Sequence, residues 1–503
     1  MMTSRIETSP VDIEKARSSQ AGRLPLVLEL PRRGRSPRSL YERLKGGRSH
    51  TLLLESGDGG MGKGRYSFIA VEAERIFSVS GDGCRCSVHD GEGRLLQVHP
   101  SGRELRRAVE DYLGTFSSLR EGMPPFAGGV AGYFGYAMIE HWEDLFRGAR
   151  SLEGSALPRA LLMGYATVVA VDHERDSILL IHHAPVGAEG LEAALAAGHD
   201  HLQGLVRLLE EAERPRPSGP FFLGEVRSET EKAAFMKIVD AGREAIIDGE
   251  VCQVVLSQRF SVETDLPAST VYEALAEENP SPYLFLVETP EVNLIGSSPE
   301  VLVRLEGDAV MTRPLAGTRP RGRDEDADRA LEAELLADEK ERAEHLMLVD
   351  LARNDLGRIC RTGSVTVTEL MGVERYSRVM HIVSQVEGVR RPEVKAFDVL
   401  EAAFPAGTVS GAPKIRAMEL IEEFEGSPRG PYAGAVGYLS STGDLDTCIA
   451  IRTFVQVGDE ISVQAGAGVV YDSVAEKEYD ETRNKAEALF RALKKAAEKG
   501  AGR

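Results

Sequence analysis

Two pairs of carboxylates, each spaced three residues apart and each leading into an apolar helical stripe, constrain the fold of this chain more than any other feature. Glu341 and Glu344 open the segment ERAEHLMLVDLARNDLGR, and Glu478 and Glu481 open EKEYDETRNKAEALF. Side chains three apart share one face of an α-helix. At about 100° per residue, Glu478, Glu481, Lys485, Leu489 and Ala492 fall within an arc of roughly 100°, so the second pair lies on a stripe that turns apolar one turn later. HLMLVDLA, which follows Glu344, is apolar nearly all round and reads as a buried helix. Both pairs are therefore expected to face inward. A carboxylate aimed into a core needs a counter-charge, because burying it unpaired is very costly. Two such helices side by side make a pocket of hard oxygen ligands that suits Mg²⁺. An arbitrary E-x-x-E is more often a solvated face; the apolar continuation on both helices sets these two apart.

A small anionic substrate needs a local site of this kind, since the chain as a whole repels anions. Its formal net charge is −19 and its pI is near 5.2, which argues against nucleic acid or an anionic membrane as the main partner. The 503 residues exceed one small domain and suffice for a large core. Five scattered cysteines with no C-x-x-C pair suggest neither a disulfide framework nor a zinc site, which fits a reducing cytoplasm. No apolar run approaches the roughly 18 residues of a membrane span. The first residues, MMTSRIETSPVDIEKARSS, lack the apolar stretch of a signal peptide. Residues 1–23 are expected to form a disordered N-terminal segment.

From about Leu24 to His183 the chain reads mostly as sheet. TLLLES, RYSFIAV, RIFSVS and YATVVAVDHERDSILLIHH are rich in β-formers, and the last is expected to be a hairpin turning at His173 to Asp176. GLEAALAAGHDHLQGLVRLLEEAE has helical periodicity, and RPRPSGP ends it. A boundary between Arg214 and Pro220 thus divides the chain into segments 24–213 and 221–498. Beyond it, SETEKAAFMKIVDAGREAIIDGEV places Ser228 and Glu231 in capping-box spacing and stops at Gly249. A strand CQVVLSQRFSV, a helix within PASTVYEALAEENP and strands in YLFLVETP and NLIGSSPEVLVRLEG follow. This half alternates helix and strand.

Ten ordered stretches of the second half resemble the chorismate-utilising enzymes, most closely the synthase component (component I) of anthranilate synthase. They are GEVCQVVLSQRF from Gly249, NPSPYLFLVE from Asn279, GSSPEVLVR from Gly296, TRPLAGTRPRG from Thr312 and ERAEHLMLVDLARNDLGR from Glu341. YSRVMHIVSQVEG from Tyr376, PAGTVSGAPKIRAMELIEEFE from Pro405, YAGAVGYLS from Tyr432, IAIRT from Ile449 and QAGAGVVYDSVAEKEYDETRNKA from Gln464 complete the series. LLLES at Leu52 and PPFAGGVAGYFGY at Pro124 extend the likeness into the first half. The resemblance implies an α+β chorismate-binding fold, with two facing β-sheet layers, outer helices and a catalytic cleft built almost wholly after Pro220.

The same resemblance assigns Mg²⁺ to Glu344 and Glu481, with Glu341 and Glu478 supporting through bound water and the ion neutralising the ring carboxylate of chorismate. Lys485 complements that carboxylate. Arg452 and Tyr432 meet the carboxylate of the enolpyruvyl arm, beside the backbone of Gly466, Ala467 and Gly468. Similar enzymes add ammonia at ring C2 as the C4 hydroxyl departs, then eliminate pyruvate. Glu300 in GSSPE matches the general acid, His381 in VMHIVS the histidine of the elimination, and Thr408 in AGTVSG a residue at the ring hydroxyl. At His381 a near-neutral imidazole is expected to move the proton.

Two positions separate the relatives. Gln253 stands where isochorismate and salicylate synthases carry a water-activating lysine. Ala316 stands where aminodeoxychorismate synthases carry a nucleophilic lysine. Both absences point to anthranilate synthase. Aminodeoxychorismate or aminodeoxyisochorismate synthase remains an alternative, as does a non-catalytic chorismate-binding subunit. No G-x-C-x-G glutaminase signature surrounds any cysteine, so ammonia is expected from a separate glutamine amidotransferase subunit. Ser56, Pro282 and Tyr283 match elements of a tryptophan-binding regulatory pocket, which makes L-tryptophan the expected inhibitor. The glycine-rich GDGGMGKGR after Ser56 lacks the Ser or Thr of a phosphate-cradling loop.

Overall fold

The computed structural model describes residues 6–7, 22–57, 64–116, 122–143, 157–211, 219–376 and 378–501. The boundary expected between Arg214 and Pro220 and the loop after Gly57 lie mostly outside them. Ile6 and Glu7 pair with Leu28 and Val27 of a strand that begins at Arg23.

Two antiparallel sheets face one another, of 13 and 12 strands among the described residues, with helices on both outer faces. The apolar runs predict this arrangement once both faces of each strand are considered. Side chains alternate across a strand. In Thr51–Glu55, Leu52 points into the core between the sheets, while Leu53 points outward beneath the helices. In Tyr283–Glu288, Phe285 and Val287 face inward, whereas Leu284 and Leu286 face the helices. An antiparallel strand covered on both sides loses the polar alternation of a solvated sheet.

Each sheet runs through both halves of the chain. In the first, Leu52 and Leu53 pair with Val287 and Leu286; in the second, Gly132 pairs with Gly437. The hairpin turning at His173 to Asp176 joins Thr167–Asp172 to Ser177–Pro185. The helix after it spans Gly190–Glu210.

Two local expectations are corrected. The helix after the break spans Lys232–Ile247 with Glu231 at its N-cap and no side-chain capping bond. Ser228 instead donates to the Thr230 carbonyl, because it pairs with Phe260 in a short strand and is not free to cap. HLMLVDLA is not buried all round: in the helix Glu339–Gly357, His345, Leu348, Val349, Ala352 and Leu356 face the interior, and Leu346 is 44% exposed. The segment NLIGSSPEVLVRLEG splits into Asn293–Ser298 in the first sheet and Val301–Glu306 in the second. Glu300 sits at that crossing. No helix among the described residues is long and apolar enough to cross a membrane.

Candidate active site

The strand Glu460–Val469 supplies the floor of the site. It pairs with Gln253–Glu263 as far as Val469, opposite Val254, but its pairing with Thr453–Val457 ends at Val463, opposite Phe454. Beyond Val463 one edge of its backbone is therefore released from that partner. Gly466 and Gly468 point to one face, and the buried Ala467 side chain points to the other. Ala467 can serve the site only through its backbone. A Cβ on Gly466 would lie 2.6 Å from the Tyr432 hydroxyl, and one on Gly468 2.7 Å from Gln253 Nε2. Glycine is required because these polar groups press directly on the strand.

Lys485 reaches the same floor, with Nζ donating to the Gly466 carbonyl at 2.9 Å and pairing with Glu481 at 2.7 Å. The buried stripe of its helix, Ala475–Ala501, runs through Tyr479, Thr482, Ala486, Leu489 and Leu493. That axis passes through Thr482, so Glu478 and Glu481 flank the stripe instead of occupying its centre. Glu478 is half-buried and the Glu481 side chain is 47% exposed. The expectation that all four acids point inward is thus corrected, and Glu481 stands at the rim.

The two acidic pairs nevertheless converge. Glu344 accepts a hydrogen bond from Gln253 Nε2 at 2.6 Å. Burial raises its pKa, the Gln253 bond opposes this, and the charges of Glu341 and Glu481 raise it further. Glu478 is likewise raised, by burial and by Glu481, against a bond from Ser473. Glu341 pairs with Arg319 at 3.2 Å. No group of three or more His, Cys, Asp or Glu side chains among the described residues is preassembled around a single metal position. The mutual repulsion across the helices is what a divalent cation would relieve, and the donors are the hard oxygens that Mg²⁺ prefers. The residues fit the ion in that sense.

Within electrostatic reach of Glu481 lies a cation that has no ion pair among the described residues. Arg452 precedes Thr453–Val457 with φ of 52°, a left-handed conformation that a residue with a Cβ adopts at a cost. Its guanidinium makes no ion pair or side-chain hydrogen bond among the described residues. Burial lowers its pKa, while Glu481 and Tyr432 oppose the shift. A desolvated, unpartnered arginine is suited to a carboxylate.

Glu300 is buried between the sheets. Burial pushes its carboxyl up to about 8, against the lowering effects of Thr408, the Leu315 backbone N–H and Lys485. It holds a proton at neutral pH. Thr408, on the turn Gly407–Val409, lies close enough to lower the pKa of this carboxyl, and its buried hydroxyl makes no hydrogen bond of good geometry among the described residues. His381 Nδ1 lies 3.1 Å from the Gly317 carbonyl and 3.0 Å from the Thr318 hydroxyl. The carbonyl can only accept, so Nδ1 carries the proton and Nε2 is left as the basic nitrogen. The ring of Tyr376 packs edge-on at 5.5 Å. Burial lowers His381 to about 4, and Arg452 and Lys485 add to this against the Gly317 bond. The near-neutral imidazole expected there is thus held uncharged by burial and two neighbouring cations.

Gly317 and Thr318 therefore belong to the site. Their signal lies in TRPLAGTRPRG, where Gly317 and Thr318 follow Ala316 directly. Ser56, Pro282 and Tyr283 converge elsewhere. Ser56 and Tyr283 line a separate cleft with Phe68, Tyr438 and Cys448. Pro282 is tied to it through its carbonyl, which accepts from Gly57 N at 3.3 Å. Tyr283 donates to Asp446 at 2.8 Å and accepts from Arg304 at 3.0 Å.

A protonated buried acid, a neutral histidine, an arginine without an ion pair among the described residues and the acidic pairs are linked electrostatically through Lys485, Arg452 and Glu481. A family profile described as chorismate binding enzyme matches residues 68–491. The chain is 43% identical over 486 residues to anthranilate synthase component 1 of Pseudomonas putida, covering 94% of this chain and 95% of that protein. It is 42% identical over 486 residues to the same component from Aquifex aeolicus, with 94% and 95% covered. The crystal structure of anthranilate synthase component I from Streptococcus pneumoniae superposes with a TM-score of 0.72 at 37% identity, over 85% of this chain and 92% of that one. The menaquinone-specific isochorismate synthase of Escherichia coli shares the fold at 19% identity, with a TM-score of 0.70 over 96% and 98% of the two chains. With the profile spanning most of the chain and the cleft built from the stretches that carry the likeness, this protein belongs to the chorismate-binding enzyme family.

Proposed function

We propose that the chain is the synthase subunit of an anthranilate synthase, converting chorismate and ammonia to anthranilate and pyruvate in tryptophan synthesis. The observation that carries this reading is the pairing of a buried Glu300, protonated up to about pH 8, with an uncharged His381 in one cleft. One group can give a proton and the other can take one at the same pH.

Glu344 and Glu481 would hold Mg²⁺ and Glu341 and Glu478 would support it through water; the ion supplies positive charge to the ring carboxylate of chorismate. Lys485 complements that carboxylate. Arg452 and the Tyr432 hydroxyl take the enolpyruvyl carboxylate above Gly466, Ala467 and Gly468. Ammonia attacks ring C2 as Glu300 protonates the departing C4 hydroxyl, which leaves as water, with Thr408 orienting that acid. After the new ammonium group loses a proton to solvent, His381 Nε2 removes the C2 proton as the ring bond to the enolpyruvyl oxygen breaks, and the enolate of pyruvate leaves and takes up a proton at its methylene carbon to become pyruvate. The cations that add to the depression of His381 by burial are those the two substrate carboxylates neutralise, so substrate binding relieves part of that shift.

Gln253 supports ammonia over water as nucleophile, because an amide held by Glu344 cannot deprotonate water. Ammonia would come from a separate glutamine amidotransferase subunit in the cytoplasm, docked on the 221–498 segment that bears the site. Purified chain given chorismate, Mg²⁺ and ammonium at alkaline pH is expected to form fluorescent anthranilate. Accumulation of an aminated, non-fluorescent product would favour aminodeoxychorismate or aminodeoxyisochorismate synthase instead.

Two further outcomes are expected. Gly466→Ala forces the Tyr432 hydroxyl off the floor and raises KM for chorismate roughly tenfold, the loss of one charge-assisted hydrogen bond; an unchanged KM would remove Tyr432 from the substrate clamp. L-Tryptophan is expected to inhibit by binding the cleft where Ser56 of the 24–213 segment meets Pro282 and Tyr283 of the 221–498 segment. A titration to millimolar tryptophan without loss of activity would exclude that regulation.

A further inference from the structure

One buried ion pair makes no hydrogen bond to any side chain assigned to substrate, yet it bonds to the elements that carry them. Arg429 and Glu425 are each only 2% exposed in their side chains. Arg429 Nε and Nη2 grip the Glu425 carboxylate at 2.8 and 2.6 Å. Burying both ions costs several kcal/mol before their attraction is counted. Here the cost is offset by further directed bonds. Nη1 donates to the Val409 carbonyl at 2.7 Å and Nη2 to the Val255 carbonyl at 2.7 Å. Glu425 Oε1 accepts from the Ser257 backbone at 2.7 Å and from its hydroxyl at 2.8 Å.

Each of these bonds ends beside the cleft. Val409 follows Thr408, the partner of Glu300. Val255 and Ser257 lie opposite Gly468 and Gly466 in the sheet register. The guanidinium also packs between the rings of Tyr136 and Tyr432, at 4.7 and 5.5 Å from their centroids. The ring of Tyr432 is thereby held while its hydroxyl presses on Gly466. An arginine fork can direct bonds to two carbonyls and a carboxylate at once, which a lysine cannot.

We propose that Arg429, oriented by Glu425, is a positioning residue that fixes Thr408, Tyr432 and the glycine floor relative to one another. The inference rests on the functional reading above, whose site it holds together. A pair that only stabilised the fold would change melting temperature and nothing else.

Arg429→Lys keeps the charge beside Glu425 and loses the fork. In this variant chorismate affinity, measured by calorimetry with Mg²⁺, is expected to weaken about tenfold, one to two directed bonds' worth. Loosening Val409 lets Thr408 drift from Glu300. Because Thr408 lowers the Glu300 pKa, the alkaline limb of the pH profile of kcat/KM should move to higher pH. A folded variant with a lower Tm but wild-type affinity and an unmoved limb would overturn the proposal. Should Arg429→Lys fail to fold, Ser257→Ala decides by the same readouts, since it deletes only the hydroxyl bonds to Glu425 and from Gln464. A severalfold weaker affinity supports the proposal, and unchanged affinity overturns it. Wild-type protein that neither binds chorismate nor forms anthranilate would instead remove the functional reading, and this inference with it.

Discussion

Glu481→Gln is expected to lower kcat/KM for anthranilate formation by about 10³-fold or more, corresponding to roughly 4 kcal/mol of lost charge stabilisation. The substitution preserves shape and removes one negative charge. Because the side chain is half exposed and its ion pair with Lys485 lies at the rim, the fold should tolerate the change, with Tm within a few degrees of wild type. What is lost is the coupling of Glu481 to Glu344 and Glu478, whose pKa values are raised first by burial and further by the charge of Glu481. A magnesium titration followed by anthranilate fluorescence reads the effect directly. Wild type in EDTA should fall to the level of the variant. Equal turnover with and without EDTA would end the metal assignment.

Glu300→Gln should reduce kcat by about 10²- to 10⁴-fold, the usual worth of a positioned general acid. In the wild type, kcat/KM is expected to fall as pH rises above about 8, because Glu300 then loses the proton it must give. The glutamine variant should show no such limb. Stability offers a second readout that needs no substrate. The folded carboxyl, near 8, lies above its ordinary value of 4.5. The native state therefore keeps a proton that the unfolded chain releases. The contribution is complete below about 4.5 and is lost as pH rises through about 8. Glu300→Gln should accordingly gain Tm relative to wild type at pH 9 compared with pH 5. A wild-type profile flat through pH 9, with identical Tm differences at both pH values, would mean that Glu300 is not held protonated.

Much of the fold was legible because it depends on short-range pattern. The apolar runs TLLLE and YLFLVE, the turn at His173 to Asp176 and the helix Gly190–Glu210 follow from side-chain periodicity and turn residues alone. The acidic pairs were legible for the same reason, since three-residue spacing fixes a shared helical face. The angular offset of that face was not. The buried axis of the last helix passes through Thr482, because Tyr479 and Ala486 pack against neighbours that a helical projection does not contain. Ser228 illustrates the same limit: its spacing suits a cap, but the strand pairing with Phe260 claims it.

The residues of this chain determined which groups are available: two acidic pairs on helices, a lone arginine in IAIRT, a histidine within a strand and glycines where a backbone must be approached closely. Only the tertiary structure decided what those groups are. Glu300 becomes an acid near neutral pH because the chain changes sheets at that residue and leaves its carboxyl without water. His381 stays uncharged because its ring is buried, and Arg452 and Lys485, distant in sequence, are brought close enough to add to the effect. Identity and local pattern are properties of the chain, whereas desolvation and long-range charge arise only when remote segments exclude solvent together.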